Sequence, residues 1–391
     1  MQAPLDIVRC VAGHLAALHG GISLNMREMN QVLQVNPDDM DVRAQAGVTR
    51  KQLNEYIRDT GLMFTVDPGA DASLGGMAST RASGTNTVKY GGMRDNVLGL
   101  TAVLADGSVV SAGSRARKSS TGYDLKNLLI GSEGTLGIIT ELDVRLFGQP
   151  EAVSSAVCEF PTLADAVNCT IAIIQMGVPV ARVELMDALS CRAVNKYSKM
   201  DLKELPTLFF EFHGTHASVA EQAQQTGDIA EGFGASGFQW SSDAQERARL
   251  WQARHHAYWA AIALRGKPDL RGMPTDAAVP ISRLAECVLE SDTDLQEVTA
   301  RTGLVGPLVG HVGDGNFHYC LAIDVTNQDE IREAKAFAER LAERAIRMGG
   351  TCSGEHGLGY GKLKFMEVSL FSIRRCVLVP MHARVLAIPC L

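Results

Sequence analysis

Several features that define particular classes of protein are missing from this sequence. No apolar run approaches the roughly twenty residues that a helix needs to cross a bilayer, and the N-terminus has no basic-then-apolar signal pattern. The nine cysteines form no CxxC pair, which is typical of individual core thiols in a reducing compartment rather than of a disulfide framework. We therefore expect an intracellular globular protein that does not span a membrane and has no targeting segment in this chain.

Clustered positive charge and the common nucleotide motifs are also absent. The formal net charge is -7 and no run of Lys or Arg occurs, so nucleic acid is excluded as an expected partner. No GxGxxG lies between a strand and a helix, and Gly361-Lys362 is followed by Leu363 where a P-loop needs Ser or Thr. A Rossmann or P-loop assignment does not fit this chain.

Two histidines in a glycine-rich segment are the most informative feature that is present. His311 and His318 flank a Gly-Asp-Gly-Asn turn, whose positive-φ positions only Gly and Asn tolerate well. Apolar, β-prone residues on both sides predict a hairpin whose tip brings the two imidazoles together. The alternative is two unrelated surface histidines beside a polar turn. Asp314 and Asn316 either form the turn or hold the rings or a substrate, and for Asp314 we favour the turn.

A second segment, Gly354-Glu-His-Gly357, adds a carboxylate and a third imidazole. Glycine costs about 1 kcal/mol in a helix interior, so the segment is better interpreted as a functional loop. Two imidazoles and the Glu355 carboxylate suit Zn²⁺, Mn²⁺ or Fe²⁺. In an extended segment the side chain of His356 would point away from that of Glu355, which leaves His356 able to act as a base.

The pattern of expected secondary structure changes near Gln149-Pro150. The first 148 residues are glycine-rich, with short β-type runs broken by loops, whereas strands alternate with longer helices from residue 149. A β-α-β-β-α-β arrangement, with an antiparallel sheet under helices, is the natural packing for the second part. Periodicity predicts strands at 97–104, 138–146, 153–160 and 208–212, and helices at 49–61, 163–176, 217–232, 243–264 and 331–348.

Two loops of the first part, residues 66–77 and 130–140, are dense in Gly, Ser and Thr. Such loops expose backbone N–H groups that can cradle a diphosphate. Either loop alone is equally compatible with ordinary turns.

These loops and the short motifs around them resemble a known family. With Thr85-Asn86 and Tyr90-Gly91 they are similar to the FAD domain of the vanillyl-alcohol-oxidase-like flavoproteins. The two histidine segments narrow the resemblance to FAD-linked D-2-hydroxyacid dehydrogenases, the family that includes the cytochrome-linked D-lactate dehydrogenases. The resemblance covers residues 20–365.

The resemblance implies both a fold and a reaction. The fold is α+β, with an FAD-binding domain of the PCMH/VAO type at residues 1–148 whose first subdomain is largely missing. A ferredoxin-like α+β substrate-binding or cap domain follows at 149–364, and an atypical tail at 365–391. The implied reaction oxidises D-lactate or a related D-2-hydroxyacid to the 2-keto acid, with hydride passing to FAD and electrons to an acceptor such as cytochrome c. The implied location is mitochondrial in a eukaryote and cytoplasmic otherwise.

Site residues follow from the same resemblance. It assigns a divalent metal, Zn or Mn, to His311, His318 and Glu355, the general base to His356 and the substrate carboxylate to Arg254. Asn316 joins the expected catalytic residues. Without the resemblance, Arg254 is interpreted as solvated helix surface. The expected FAD-binding residues are Pro68, Asp71, Ser73, Gly76, Met77, Thr80, Gly84, Asn86, Glu133, Gly134, Gly137 and Ile139.

Two other hypotheses are compatible with these motifs. A metal-dependent hydrolase would use the same His/His/Glu site, with His356 activating water, and would need no flavin. An inactive fragment of the dehydrogenase would take up no flavin.

Overall fold

The computed structural model describes residues 22–267 and 270–366 of the chain, which form two compact units. Among the described residues, unit 1 contains 22–84, 91–149 and 355–366. Unit 2 contains the short segment Thr85–Tyr90 and the long segment Pro150–Gly354. The tail predicted to be atypical lies outside the described residues from residue 367 onward.

Short strands and helices make up the chain as far as Gln149. They are β1 Val32–Asn36, β2 Asp41–Gln45, α1 Arg50–Tyr56, β3 Leu62–Met63, α2 Leu74–Ser79, α3 Thr87–Tyr90, α4 Met93–Asn96, β4 Val97–Val103, β5 Val109–Gly113, α5 Leu125–Leu129, β6 Ile138–Arg145 and β7 Phe147–Gly148. All except α3 belong to unit 1.

An antiparallel sheet with the strand order β1-β2-β6-β4-β5 is the centre of unit 1. Val42, Leu142 and Val144 are fully buried at alternate positions of β2 and β6, as expected for strands with one face toward a core. Gly75 in α2 is required by close packing, because a Cβ there would lie 2.6 Å from the Cβ of Ala46. The strands predicted at 97–104 and 138–146 are confirmed.

The predicted helix that follows Thr49 is also confirmed. The Thr49 side chain accepts from the backbone N–H of Gln52, and the Gln52 side chain bonds back to the N–H of Thr49. This reciprocal capping box satisfies two donors that the first helical turn otherwise leaves unpaired. The helical segment ends at Gly61, which has φ +71°.

Longer elements form unit 2. They are β8 Ala152–Glu159, α6 Leu163–Gln175, β9 Arg182–Met186, α7 Ala188–Ser198, β10 Thr207–Gly214, α8 His216–Gly232, β11 Ser236–Ser241, α9 Ala244–Ala263, β12 Leu270–Pro274, β13 Ala277–Ala278, α10 Leu284–Thr302, β14 Leu308–Gly310, β15 Asn316–Asp324 and α11 Gln328–Arg347. The sheet has the order β11-β8-β10-β9-β14-β15-β12, with β13 beside β15, and its strand pairs are antiparallel.

The first part of unit 2 has the predicted ferredoxin-like arrangement. Strands β8, β9, β10 and β11 alternate with α6 and α8 as β-α-β-β-α-β and lie in the order β11-β8-β10-β9. Helix α7, inserted between β9 and β10, and helix α10 were not predicted from the sequence. Strands β14, β15 and β12 continue the sheet beyond β9.

Helices cover both faces of this sheet, whereas the sequence led us to expect them on one. Leu208, Phe210 and Phe212 of β10 join the core on the face of α6, α8, α10 and α11. Phe209, on the opposite face of the same strand, packs with Trp251 of α9 in a second core that includes α7. Strand alternation places further side chains on this α7/α9 face, including several charged ones. No helix among the described residues is long and apolar enough to cross a membrane.

A buried ion pair at the start of α11 gives a test of unit 2. Glu330 is 2% exposed and accepts two hydrogen bonds from the guanidinium of Arg265, at 2.7 and 2.8 Å, and one from the backbone N–H of Asp324 at 3.0 Å. Glu330→Gln should lower the free energy of unfolding by about 3 kcal/mol, because Arg265 loses its counter-charge in a largely buried place.

Urea unfolding followed by tryptophan fluorescence measures this effect. The three tryptophans of the sequence, Trp240, Trp251 and Trp259, all lie in unit 2, so the signal reports on that unit. Glu333→Gln is the matched control, since the Arg301 side chain that pairs with Glu333 is 56% exposed and such pairs contribute at most about 1 kcal/mol. Equal losses in the two variants would contradict the prediction.

Candidate active site

The β14–β15 hairpin of unit 2 carries both histidines of the glycine-rich segment. Val309 pairs with His318 across the hairpin, and His311 follows the end of β14 directly. The tip is one turn of 3-10 helix that ends at Gly315, whose φ is +73°. The centroids of the two imidazole rings lie 5.6 Å apart, with the rings nearly perpendicular at 81°. The predicted hairpin, and the approach of the two rings at its tip, are confirmed.

The hydrogen bonds of these two rings determine where their lone pairs lie. His311 Nδ1 is 2.6 Å from Glu184 Oε1, and His318 Nδ1 is 2.9 Å from the backbone oxygen of Thr275. A carbonyl oxygen and an ionised carboxylate can only accept, so Nδ1 donates in both rings; in the neutral form of each imidazole, Nε2 then carries the lone pair. Metal-binding histidines commonly have this tautomer, held by a carboxylate or a carbonyl. The chemistry of the pair therefore fits a divalent metal bound through two Nε2 atoms.

Glu184 of β9 joins the hairpin to helix α9. Its side chain is fully buried, and its Oε2 accepts from both Nε and Nη2 of Arg254 at 2.8 Å. Burial alone would raise the pKa of Glu184, but the His311 ring and the Arg254 guanidinium outweigh it and hold this pKa below its usual range. The interpretation of Arg254 as solvated surface is wrong, because only 11% of its side chain is exposed.

The guanidinium of Arg254 still has hydrogen-bonding capacity. Glu184 uses the Nε and Nη2 groups, while within the described part of the chain Nη1 makes no hydrogen bond. A planar guanidinium presents five N–H donors in a fixed fork. Arg254 can therefore bind a second carboxylate while it stays anchored to Glu184.

Asn316 is tied into a buried polar cluster beside the hairpin. Its Nδ2 donates to Asp276 Oδ1 at 2.8 Å and to the backbone oxygen of Ala277 at 2.9 Å. Ser353 Oγ donates to Asp276 Oδ2 at 2.8 Å. These bonds hold the hairpin against β13, whereas the catalytic role of Asn316 stays a prediction.

A second buried network lies on the same face of the sheet. His213 bonds through Nε2 to Glu211 Oε1 at 2.8 Å and through Nδ1 to the Tyr90 hydroxyl at 2.7 Å. Burial would raise the pKa of Glu211, but His213 and Arg182 outweigh it and lower this pKa. Arg182 Nε also donates to Asn86 Oδ1 at 2.8 Å. Asn86, predicted to bind flavin, thus has its side chain bonded within unit 2.

Sequence reasoning missed Glu184, Thr275 and Asp276. Glu184 stands between apolar residues in the short run Val183–Met186, and a charge inside a buried strand was the available signal. Thr275 accepts the hydrogen bond of His318 through its backbone oxygen. Every residue has such an oxygen, so the residue type does not indicate this role.

The predicted flavin loops lie in unit 1, and their polar side chains are bonded locally. Ser73 caps α2 by accepting from Gly76 N, and Thr80 Oγ1 donates to the oxygen of Gly76. Asp71 accepts from the backbone N–H of Lys51 and from the Thr49 hydroxyl. These bonds fix the loop that begins at the half-buried Pro68.

The glycines and apolar residues predicted to bind flavin fall into two groups. Gly76 and Gly134 are exposed, and nothing lies within 4 Å of where a Cβ would stand at Gly134. Backbone this open suits the approach of a bulky anionic group such as a dinucleotide. The others are buried, so only their backbone can meet a cofactor: Met77, Gly84, Gly137 and Ile139.

Glu133 holds the loop that follows His356. Glu133 has φ +52°, an uncommon conformation for a residue other than glycine. Its two carboxylate oxygens accept from the backbone N–H groups of Leu358, at 2.6 Å, and Gly359, at 2.7 Å. The side chain predicted to contact flavin therefore supports the loop beside the predicted base.

The segment that contains Glu355 and His356 is bent, not extended. His356 Nε2 lies 4.0 Å from Glu355 Oε1, so the expectation that the two side chains diverge is wrong. Gly357, at φ +76°, continues the bend. The alternation of side chains that holds in an extended strand therefore does not apply to this segment. Glu355 Oε2 accepts from the Ser83 hydroxyl at 3.2 Å. Their roles as metal ligand and base stay predictions.

Comparison with known proteins gives a family for this arrangement. The sequence model for the C-terminal domain of FAD linked oxidases matches residues 149–370, and that for an FAD binding domain matches residues 11–113. Among solved structures, 4-ethylphenol oxidase from Gulosibacter chungangensis aligns with a TM-score of 0.66 at 17% identity, covering 89% of this chain and 75% of that one. Alkyldihydroxyacetonephosphate synthase aligns equally well, with a TM-score of 0.66 at 20% identity, covering 88% and 64%.

Curated sequences with higher identity point the same way. A probable mitochondrial D-lactate dehydrogenase of Danio rerio is 50% identical over 90% of this chain and 70% of its own length. A mitochondrial D-lactate dehydrogenase of the cytochrome type from Arabidopsis thaliana is 43% identical over 92% of this chain, which spans 62% of that relative.

Fold and sequence together define a flavoprotein of the PCMH/VAO class, with an FAD-binding domain followed by an α+β domain that has an antiparallel sheet. The predicted fold class is confirmed. Within that class, the chain belongs to the family of FAD linked oxidases.

The support that Glu133 gives to the loop can be tested directly. Glu133→Gln leaves one acceptor oxygen for two backbone donors. Each hydrogen bond to a charged group contributes about 1.5–3 kcal/mol, so hydrogen exchange at residues 358–359 should become about 10- to 100-fold faster. Exchange measured by mass spectrometry on peptides that cover this loop checks the prediction. Ser132→Ala is the control from the same turn, and unchanged exchange in Glu133→Gln would contradict the assignment.

Proposed function

We propose that this chain catalyses the oxidation of D-lactate, or a related D-2-hydroxyacid, to the 2-keto acid with FAD as the hydride acceptor. One observation carries the proposal: in unit 2, Glu184 joins His311, whose lone pair lies on Nε2, to a guanidinium that can still bind a carboxylate. A 2-hydroxyacid presents the two groups, a hydroxyl and a carboxylate, that such a pair recognises. The names of the relatives from Danio rerio and Arabidopsis thaliana support the same substrate.

Arg254 binds and orients the substrate in this proposal. Its Nη1 group, together with the outer edge of Nη2, forms charge-assisted hydrogen bonds with the substrate carboxylate. Glu184 holds the opposite edge of the guanidinium at 2.8 Å, which fixes the plane in which the carboxylate binds. Because Arg254 is 11% exposed, little water competes for those bonds, and each is stronger than at the surface.

His311 and His318 provide the nitrogen ligands of a divalent metal, Zn or Mn, in this proposal, and Glu355 provides the oxygen ligand. The tautomer of both rings supports this role. A bound divalent ion supplies Lewis-acid polarisation, which lowers the pKa of a coordinated hydroxyl. The motif Gly354-Glu-His-Gly357 supports Glu355 as the oxygen ligand, since it supplies a carboxylate among glycines.

In this proposal His356 takes the proton of the substrate hydroxyl, and FAD, when bound, would accept the hydride of the α-carbon. The proposal follows from the Gly-Glu-His-Gly motif. It is supported by the bent loop that Glu133 holds through Leu358 and Gly359. FAD supplies a two-electron acceptor for the hydride. The exposed glycine backbone at Gly76 and Gly134 belongs to the loops that we propose bind it.

The electrons then pass to an acceptor such as cytochrome c. The support for this step is the name of the Arabidopsis thaliana relative, a D-lactate dehydrogenase of the cytochrome type. The same names support a mitochondrial location in a eukaryotic cell.

Flavin reduction by the substrate tests the proposed function. Protein purified with added FAD should show the visible absorption of oxidised flavin after free FAD is removed. Anaerobic addition of D-lactate should bleach that absorption, whereas L-lactate, with the opposite configuration at the α-carbon, should leave it unchanged. A protein that retains no flavin, or one that is active without flavin as a hydrolase, would contradict the proposal.

The role of His356 can be separated from flavin binding. His356→Ala should retain bound FAD but reduce it with D-lactate about 10²- to 10⁴-fold more slowly, the usual contribution of a general base. Stopped-flow absorbance under anaerobic conditions measures this rate. His216→Ala, which removes a histidine that is 81% exposed, is the control and should reduce flavin at the normal rate. A near-normal rate in His356→Ala would exclude the base assignment.

A further inference from the structure

Glu184 bonds both to His311, a proposed metal ligand, and to Arg254, the proposed carboxylate-binding arginine. We propose that Glu184 is a positioning residue, which fixes the metal-binding tautomer of His311 and the orientation of Arg254 through a single buried carboxylate. This inference rests on the proposed function, since it takes His311 as a metal ligand and Arg254 as the group that binds the substrate carboxylate.

Each carboxylate oxygen of Glu184 bonds to a different partner. Oε1 lies 2.6 Å from His311 Nδ1, and Oε2 lies 2.8 Å from both Nε and Nη2 of Arg254. The side chain of Glu184 is 1% exposed, so water does not substitute for either partner. A buried carboxylate is stable only when its acceptor sites are matched by donors, and here the donors are the two functional groups themselves.

The sheet holds this carboxylate in a fixed position. Glu184 pairs with Phe209 of β10 on one side of β9, and its neighbour Leu185 pairs with Gly310 of β14 on the other. His311 follows Gly310 directly. The imidazole is therefore only one residue beyond a position of β14 that is paired with β9, which fixes its distance from Glu184. A rigid support of this kind is what a metal-binding imidazole needs from the group that orients it.

A carboxylate is required because an amide cannot serve both partners. In Glu184→Gln the side chain has one acceptor oxygen and one NH₂ group. The permanently charged guanidinium is the stronger donor, so the oxygen should turn toward Arg254 and the NH₂ group toward His311 Nδ1. Nδ1 would then accept, the ring proton would move to Nε2, and the lone pair needed for metal binding would be lost from Nε2.

Metal binding by the purified chain tests the inference without measuring activity. The metal-stripped protein is titrated with Mn²⁺, and the free ion is counted by electron paramagnetic resonance. Glu184→Gln should bind Mn²⁺ about 10- to 100-fold more weakly than the unchanged chain, the usual effect of removing the acceptor behind a metal-binding histidine. Added Mn²⁺ should partly restore D-lactate turnover, which a merely structural defect would not allow.

Glu211→Gln is the matched control. Glu211 is a buried carboxylate on the same face of the neighbouring strand, and it pairs with His213 and Arg182. It touches neither His311 nor Arg254, so its loss should lower stability without changing Mn²⁺ affinity. Tryptophan fluorescence in urea shows whether the two variants are equally destabilised.

The outcomes separate this inference from the proposed function. Equal Mn²⁺ affinity in Glu184→Gln and Glu211→Gln would overturn the inference alone. Failure of the unchanged chain to bind either Mn²⁺ or Zn²⁺ would overturn both the inference and the proposed metal site, whereas flavin reduction by D-lactate tests the rest of the function separately. If Glu184→Gln does not fold, Glu184→Asp takes its place. It keeps the charge but is one methylene too short to reach both partners, and it should also weaken Mn²⁺ binding.

Discussion

The buried carboxylate of Glu184 imposes the strongest physical constraint on unit 2. An ionised group taken out of water costs several kcal/mol unless it is paired, and this one lies in the middle of an antiparallel sheet. Its partners, His311 and Arg254, come from the end of β14 and from α9. Strand pairing, helix packing on that face and the candidate site therefore support one another, because displacement of any of these elements would leave the charge unmatched.

The second unit shows how the same sheet serves both packing and chemistry. Large apolar side chains such as Phe210 and Phe212 occupy one face, and the α7/α9 face mixes apolar residues with the pairs Glu184–Arg254 and Glu211–His213. The buried polar groups are bonded to one another, which makes their burial tolerable and their positions specific. This chain thus carries its candidate substrate-binding groups on a rigid support.

Local sequence patterns predicted the features whose geometry depends on neighbouring residues. The hairpin between His311 and His318 was predictable because the Gly-Asp-Gly-Asn turn between them decides its geometry, and the helices α6, α8, α9 and α11 follow from apolar periodicity. The bend at Glu355 and His356 was not predictable, because the glycines on both sides of this pair permit more than one backbone path. Glu133 was assigned to flavin by its motif, whereas its oxygens bind backbone N–H groups far along the chain.

The sequence by itself determined the family and the residue types proposed for the site, because motifs and periodicity are properties of neighbouring residues. Only the tertiary structure decided that Arg254 is buried and that Glu184 is its partner. Glu184 lies 127 residues before His311 and 70 before Arg254. Whether a charged side chain is solvated or buried depends on the neighbours that distant segments bring to it, and no local pattern contains that information.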